Sequence, residues 1–207
     1  PSLCQGRRSV GVYFETGDVQ RPVAFHGDAD PTHQYLENPS YSNGRDILGV
    51  VFDEPGVDNR VLDQLVDATV VSKVSPKLAN GWYFNLAVSE KGLRDPLVFQ
   101  GAAYFKTFQP TNSATECSAG AGTDRVYIVN NCTAEALVDS NGDANNQTVG
   151  ERIATTTHED IGPSPTLVTM AGAAPIVVTS GMLGGVGGTH QRSFNARPRP
   201  YMWRFVR

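Results

Sequence analysis

An all-β fold is what this 207-residue sequence predicts, and three observations predict it. First, apolar and aromatic residues recur on alternate positions in several short runs, the period of half-buried strands. Second, those runs are separated by turn chemistry such as Gln100-Gly101. Third, 21 glycines and 13 prolines suit many short strands joined by turns. The signals agree best over residues 81–132, which read as four consecutive antiparallel strands with short turns, one sheet about the size of a propeller blade.

Taken in order, residues 8–15 place Val10, Val12 and Phe14 on one face of a strand that ends at Thr16-Gly17-Asp18. Residues 19–45 have turn-forming clusters and little periodicity, and read as a long loop insertion, a class of segment that often carries function. Residues 46–53 form a strand stopped by Glu54-Pro55-Gly56. Over residues 60–68, Val61, Leu62, Leu65 and Val66 fall at helical spacing and predict a short helix or turn that serves packing. The linker SKVSPKLAN then leads into the central sheet.

Within that sheet Trp82, Phe84 and Leu86 alternate, Lys91-Gly92 reads as a turn, and Leu97 and Phe99 form the next strand. Gln100-Gly101 makes a tight hairpin into Ala103, Phe105 and Thr107, and a Gly-rich stretch leads to the strand 125–129. Residues 133–161 are polar and turn-rich. Gly162-Pro163-Ser164-Pro165 introduces a strand at 166–170, with 174–180 as its partner. The run GMLGGVGG at 181–188 lacks the Lys-Ser/Thr ending of a phosphate loop and reads as a flexible connection. The tail, 192–207, alternates Tyr201, Trp203 and Phe205 among arginines, as suits a strand that completes a blade begun elsewhere.

Composition narrows the function classes. Charged residues are 18% and the net charge is -4, so there is no basic face for nucleic acid and no acidic block of the disordered kind. No apolar run approaches the ~20 residues of a membrane helix. The opening PSLCQGRRSV has neither Met nor a signal-peptide core, as expected of a mature product or a fragment. Three cysteines without a CxxC or CxxCH spacing give no zinc ribbon, thioredoxin-type site or c-type haem, and counting alone leaves reduced thiols and a bridge equally open.

The strongest chemical constellation is Asp139, Asn141, Asp143, Asn145 and Gln147. Oxygen side chains on alternate positions of a loop suit Ca2+, which takes six to eight oxygen ligands in flexible geometry. The loop departs from the EF-hand pattern: glycine stands at its fourth position, and Gly150 occupies the twelfth, with Glu151 one residue late. An Asx-rich surface turn without metal is the alternative. His26, Asp28, Asp30 and His33 form a second cluster of possible ligands, read as an exposed polar loop. His158-Glu159-Asp160 with Ser164 or Ser180 has neither a GxSxG turn nor a triad order, and reads as solvated loop residues.

The succession GWYFNL, RDPLVFQGAAYFKTFQPT, a cysteine with a Gly-rich turn, and RVYIV resembles the C-terminal β-propeller of the type IV pilus tip adhesin and assembly family, of PilY or PilC type. The resemblance extends to VYFETGD at 12–18, QLVDAT at 64–69, DSNGD at 139–143 and GPSPTLV at 162–168, leaving out the first ten residues and the stretch near His26. It implies a single β-propeller-type domain over residues 1–207, forming the C-terminal part of a larger propeller with four-stranded blades and long loops. It implies an extracellular protein of the bacterial pilus tip or cell surface, non-enzymatic, acting in pilus assembly and adhesion. Its partners would be pilin subunits and a host or surface receptor.

That family carries a calcium-binding Asp/Asn-rich loop, which favours Ca2+ at residues 139–147. Its extracellular setting favours a Cys117–Cys132 bridge, with Cys4 left over. At ~40 to 50 residues per blade the chain supplies about four blades. The remainder of the propeller, or another chain, is therefore expected at the sheet edges. Two rivals stand beside this reading. One is a quinoprotein-type propeller enzyme, which would have only Trp82 and Trp203 with which to line its cofactor site. The other is a structural filament subunit.

Overall fold

The structure is a computed structural model, and it describes residues 4, 10–17, 45–53, 64–75, 80–110, 122–139, 148–157, 164–168 and 176–178. Those residues are all-β apart from a 3-10 turn at Gly150–Arg152 and short turns. Strands β1 (Val10–Glu15), β2 (Ile47–Asp53), β3 (Val66–Asp67) and β4 (Gly81–Asn85) form one sheet in the order β1-β2-β4-β3. Strands β5 (Lys91–Gly92), β6 (Leu97–Phe99), β7 (Ala102–Pro110), β8 (Gly122–Asn130) and β9 (Ile153–Thr157) form a second, in the order β5-β7-β8-β9 with β6 also on β7. Strands β10 (Thr166–Val168) and β11 (Ile176–Val178) pair antiparallel as expected. Among the described residues no ring of blades closes.

The expected single sheet over 81–132 is therefore corrected. β4 pairs antiparallel with β2, in the register Leu48↔Phe84 and Val50↔Trp82. Alternation identifies a strand but not its partner, and here the non-local partner buries more apolar surface on one face. Lys91-Gly92 is not a turn but the buried strand β5, paired with Thr107 and Phe108. The reversal lies just before it, where Glu90 N–H donates to the Ala87 carbonyl at 3.0 Å and Ser89 has φ 63°. The Gln100-Gly101 hairpin is as expected, with φ of 48° and 82° at successive positions, the primed turn that matches strand twist.

Of the short helix or turn expected over 60–68, Val61 and Leu62 lie outside the described residues; Gln64 is in a 3-10 turn, and strand β3 follows it. Val66–Asp67 pairs parallel with Trp82 and Tyr83, and Ala68 N–H donates to the Tyr83 carbonyl at 2.7 Å, so the sheet ladder satisfies backbone groups that a short helix would leave open. Val10, Val12 and Phe14 share one face of β1 as expected, and that face is the one turned away from the core. Val10 and Val12 point outward, while Tyr13 turns to the core.

One core joins the two main sheets. Leu48 and Val50 of β2 and Trp82 and Phe84 of β4 cluster with Ala103 and Phe105 of β7 and Tyr127 and Val129 of β8. Trp82 stacks on Phe84 with centroids 6.0 Å apart and meets Phe105 edge-on at 6.3 Å, geometries that aromatic quadrupoles favour. A main-chain bond from Gly92 N–H to the Thr16 carbonyl, 2.9 Å, ties the end of β1 to β5. Gly92 is required there, since a Cβ would lie 2.3 Å from the Cβ of Glu15.

The disulfide partner is corrected as well. Cys132 bridges Cys4, with Cα atoms 5.4 Å apart across 128 positions of sequence. A sulfur forms one such bond, so the Cys117–Cys132 pairing is overturned; Cys117 lies outside the described residues. Hairpin spacing suggested the near partner, whereas the core brings the distant one into reach: Cys4 and Cys132 both belong to the inter-sheet cluster.

Candidate functional site

The described residues on either side of 140–147 are held to the core by polar contacts. On the entry side β8 ends in a turn at 131–133, where Asn130 Oδ1 accepts from the amides of Cys132 at 2.9 Å and Thr133 at 3.1 Å. The chain then doubles back, with Ala136 bridged to Val129 and Leu137 N–H donating to the Ile128 carbonyl at 3.2 Å. Asp139, half-buried, ends this stem.

On the exit side Thr148-Val149-Gly150-Glu151 closes on itself. Glu151 Oε2 accepts from the Thr148 amide at 2.8 Å and from its hydroxyl at 2.6 Å, a capping arrangement in which the acid returns to the head of the turn. Arg152 follows and is buried. Its guanidinium donates to three main-chain carbonyls, Ala134 at 2.7 Å, Ala68 at 2.6 Å and Val71 at 2.5 Å, and lies 5.1 Å over the Phe84 ring. Burial lowers its pKa to about 10, with the Tyr127 phenol opposing. Three hydrogen bonds and a cation–π contact compensate the desolvated charge, and the arginine thereby pins the exit stem to both sheets.

The 130–134 turn is a junction for the same elements. Trp82 Nε1 donates to the Asn131 carbonyl at 3.3 Å, Val74 N–H to Thr133 at 2.8 Å, and Asn131 N–H to Gly101 at 3.0 Å. The Cys4 bridge attaches at Cys132. The residues up to Asp139 and from Thr148 are thus both tied to the core.

A second polar cluster lies between the sheets. Glu90 accepts from the Thr107 hydroxyl at 2.5 Å, the Tyr127 hydroxyl at 2.8 Å and the Ala87 amide at 3.1 Å, and its carboxylate lies 3.2 Å from Arg125 Nη1. Arg125 also donates to Gln109 Oε1 at 2.7 Å. Burial raises the Tyr127 phenol well above its ordinary pKa, and the Glu90 charge adds to the effect. With both its oxygens occupied, Glu90 fixes the 87–90 turn. Glu15 differs: neither carboxylate oxygen reaches good hydrogen-bond geometry, and burial, opposed by the Lys106 backbone N–H and aided by Asp95, pushes its pKa up to about 9. On the far face of the second sheet Lys106 and Asp124 form a buried ion pair at 2.9 Å.

Of the residues singled out for calcium, Asp139 alone is described; Asn141, Asp143, Asn145 and Gln147 lie outside the described residues. The structure thus supplies one carboxylate among the five residues, and no coordination geometry follows from it. Among the described residues no three His, Cys, Asp or Glu side chains gather as a metal site. His26, Asp28, Asp30, His33, His158, Glu159, Asp160, Ser180 and Trp203 lie outside the described residues. Ser164 is described, and its carbonyl accepts from the Thr166 hydroxyl at 3.2 Å. Trp82 is fully buried in the core, where Phe84 and Phe105 cover it. No described helix is long and apolar enough to cross a membrane.

Reading the sequence missed Glu90, Glu151 and Arg152. For Glu151 a signal exists, the T-x-x-E spacing from Thr148. Arg152 has none, because its acceptors are main-chain carbonyls 18 to 84 positions away.

No protein-family model and no curated protein matches the chain. Among solved structures it is similar to the crystal structure of the Pseudomonas aeruginosa PilY1 C-terminal domain, with a TM-score of 0.50 and 16% identity over 86% of this chain. The match spans 41% of that domain, less than half its length. Identity at this level speaks to fold alone, and the fold it indicates is PilY1-like.

Proposed function

We propose that this chain is a type IV pilus-associated protein that works outside the cytoplasm, as part of a β-propeller whose sheets present loops for assembly and adhesion. The observation that carries the reading is the PilY1-like fold over 86% of the chain. The Cys4–Cys132 bridge supports an oxidising compartment, where such bonds persist. In this reading the protein is non-enzymatic. Pilin subunits and a surface or host receptor are its partners, and the remainder of a propeller packs at its sheet edges.

Calcium belongs to the same proposal. Asp139, Asn141, Asp143, Asn145 and Gln147 would hold the ion, which would supply charge neutralisation and order to the 139–147 loop. The rigid stems built on Arg152 and the 130–134 turn support such a role, because a fixed base lowers the entropy lost when a loop closes on an ion.

The experiment is immunogold labelling of thin sections of piliated cells of the source organism with an antibody to this chain. Gold on pili or their tips is the expected result. Label confined to the cytoplasm of piliated cells overturns the reading.

A further inference from the structure

The carboxylate of Glu151 is only half satisfied. Its Oε2 accepts from the Thr148 amide and hydroxyl, while its Oε1, in a residue 2% exposed, is shut off from water and meets no hydrogen-bond donor. A carboxylate oxygen so placed costs free energy until a proton or a cation meets it. The neighbouring Arg152 does not, since its guanidinium lies on the carbonyls of Ala134, Ala68 and Val71.

The strand pairing puts this oxygen beside Asp139. Tyr127 of β8 pairs with Ile153, and two positions on Val129 is bridged by Ala136, with Leu137 N–H on the Ile128 carbonyl between them. Strand β7 occupies the other edge of β8, so the stem that ends at Asp139 and the turn that carries Glu151 run along one edge and converge there. Val138 and Ala154 accordingly pack on the same apolar cluster. Linear spacing puts Glu151 one residue late to close a calcium loop that begins at Asp139. The 3-10 turn offsets this: Glu151 N–H donates to the Thr148 carbonyl at 3.3 Å, and the side chain folds back to the Thr148 amide, next to Gln147.

We infer that Glu151 Oε1 is a ligand of a calcium ion held at Asp139. The inference rests on the calcium reading proposed above, and the two carboxylates it uses are both among the described residues. The ion satisfies an oxygen that the fold leaves buried, and it clamps the Asp139 stem to the 148–152 turn. Ca2+ completes its six to eight oxygens from the loop, main-chain carbonyls and water.

Calorimetric titration of the metal-free full chain with CaCl2 tests it, on wild type and Glu151→Gln. Glutamine keeps an acceptor for Thr148 and puts an amide NH2 where the free oxygen was, so the cap survives and the ligand is lost. Ca2+ affinity should fall at least about tenfold. The melting temperature in chelator should stay close to that of the wild type, because each protein carries one unmet polar atom there. Equal affinities overturn the inference and leave the calcium reading standing; a wild type that takes up no Ca2+ overturns both. A melting temperature lowered equally in chelator and in Ca2+ assigns Glu151 to the cap alone and overturns the inference as well. Hydrogen exchange on the wild type needs no variant: Ca2+ should slow the Glu151 and Arg152 amides, which donate to the Thr148 and Val149 carbonyls, and unchanged rates there with Ca2+ bound overturn it.

Discussion

Replacing Glu15 by glutamine isolates what it costs to keep a carboxyl group in the seam between β1 and β5. Burial outweighs the opposing contact with the Lys106 backbone and moves the Glu15 pKa from 4.5 to about 9. Between those values the unfolded chain has released a proton that the folded chain still holds. The contribution is therefore fully present below pH 4.5 and is lost as pH rises towards 9. At pH 7 about 2.5 units of that interval have been crossed, and at ~1.4 kcal/mol per unit the loss is about 3 kcal/mol, an upper bound. Glutamine has nearly the same shape and does not titrate, so its own burial cost is constant with pH. Urea unfolding of wild type and Glu15→Gln, followed at pH 4, 5.5, 7 and 8, should give stabilities whose difference shifts in favour of the variant by about 2 to 3 kcal/mol between pH 4 and 7. Parallel stability profiles for the two proteins would refute the reasoning, since every other titrating group is common to both.

Three further outcomes follow from the geometry. Arg152→Ala removes the donor from the buried Ala134 and Ala68 carbonyls and the partly buried Val71 carbonyl, and should lower stability by about 3 to 5 kcal/mol in denaturant titration, with Arg152→Lys recovering only part. Peptide mapping without reduction should recover Cys4 joined to Cys132 and Cys117 outside that bond, and Cys4→Ser should cost about 2 to 5 kcal/mol, because the bond closes a loop across 128 positions. Chelation should lower the melting temperature of the wild type and leave Asp139→Ala/Asp143→Ala unchanged; identical melting curves for the wild type with and without chelator would remove calcium from the proposal.

The strands at 10–15, 47–53 and 102–110, and the Gln100-Gly101 hairpin, were legible in the sequence because alternation and turn chemistry act over two to nine residues. The PilY1-like fold was legible for the same reason, as a succession of such local patterns. The loop residues from Asn141 to Gln147 are legible as chemistry only, lying outside the described residues. Tertiary structure alone decided that β4 joins β2, that Cys132 takes Cys4, and that Val10 and Val12 face outward while Tyr13 faces in. It alone brought Glu90 to Tyr127 and Arg152 to Ala68. Each of these joins residues between 30 and 128 positions apart or depends on which face of a strand another sheet covers. Local periodicity fixes neither, because a strand's two faces are equivalent until packing chooses between them, and a buried charge finds its compensation wherever the folded backbone places a carbonyl or a hydroxyl.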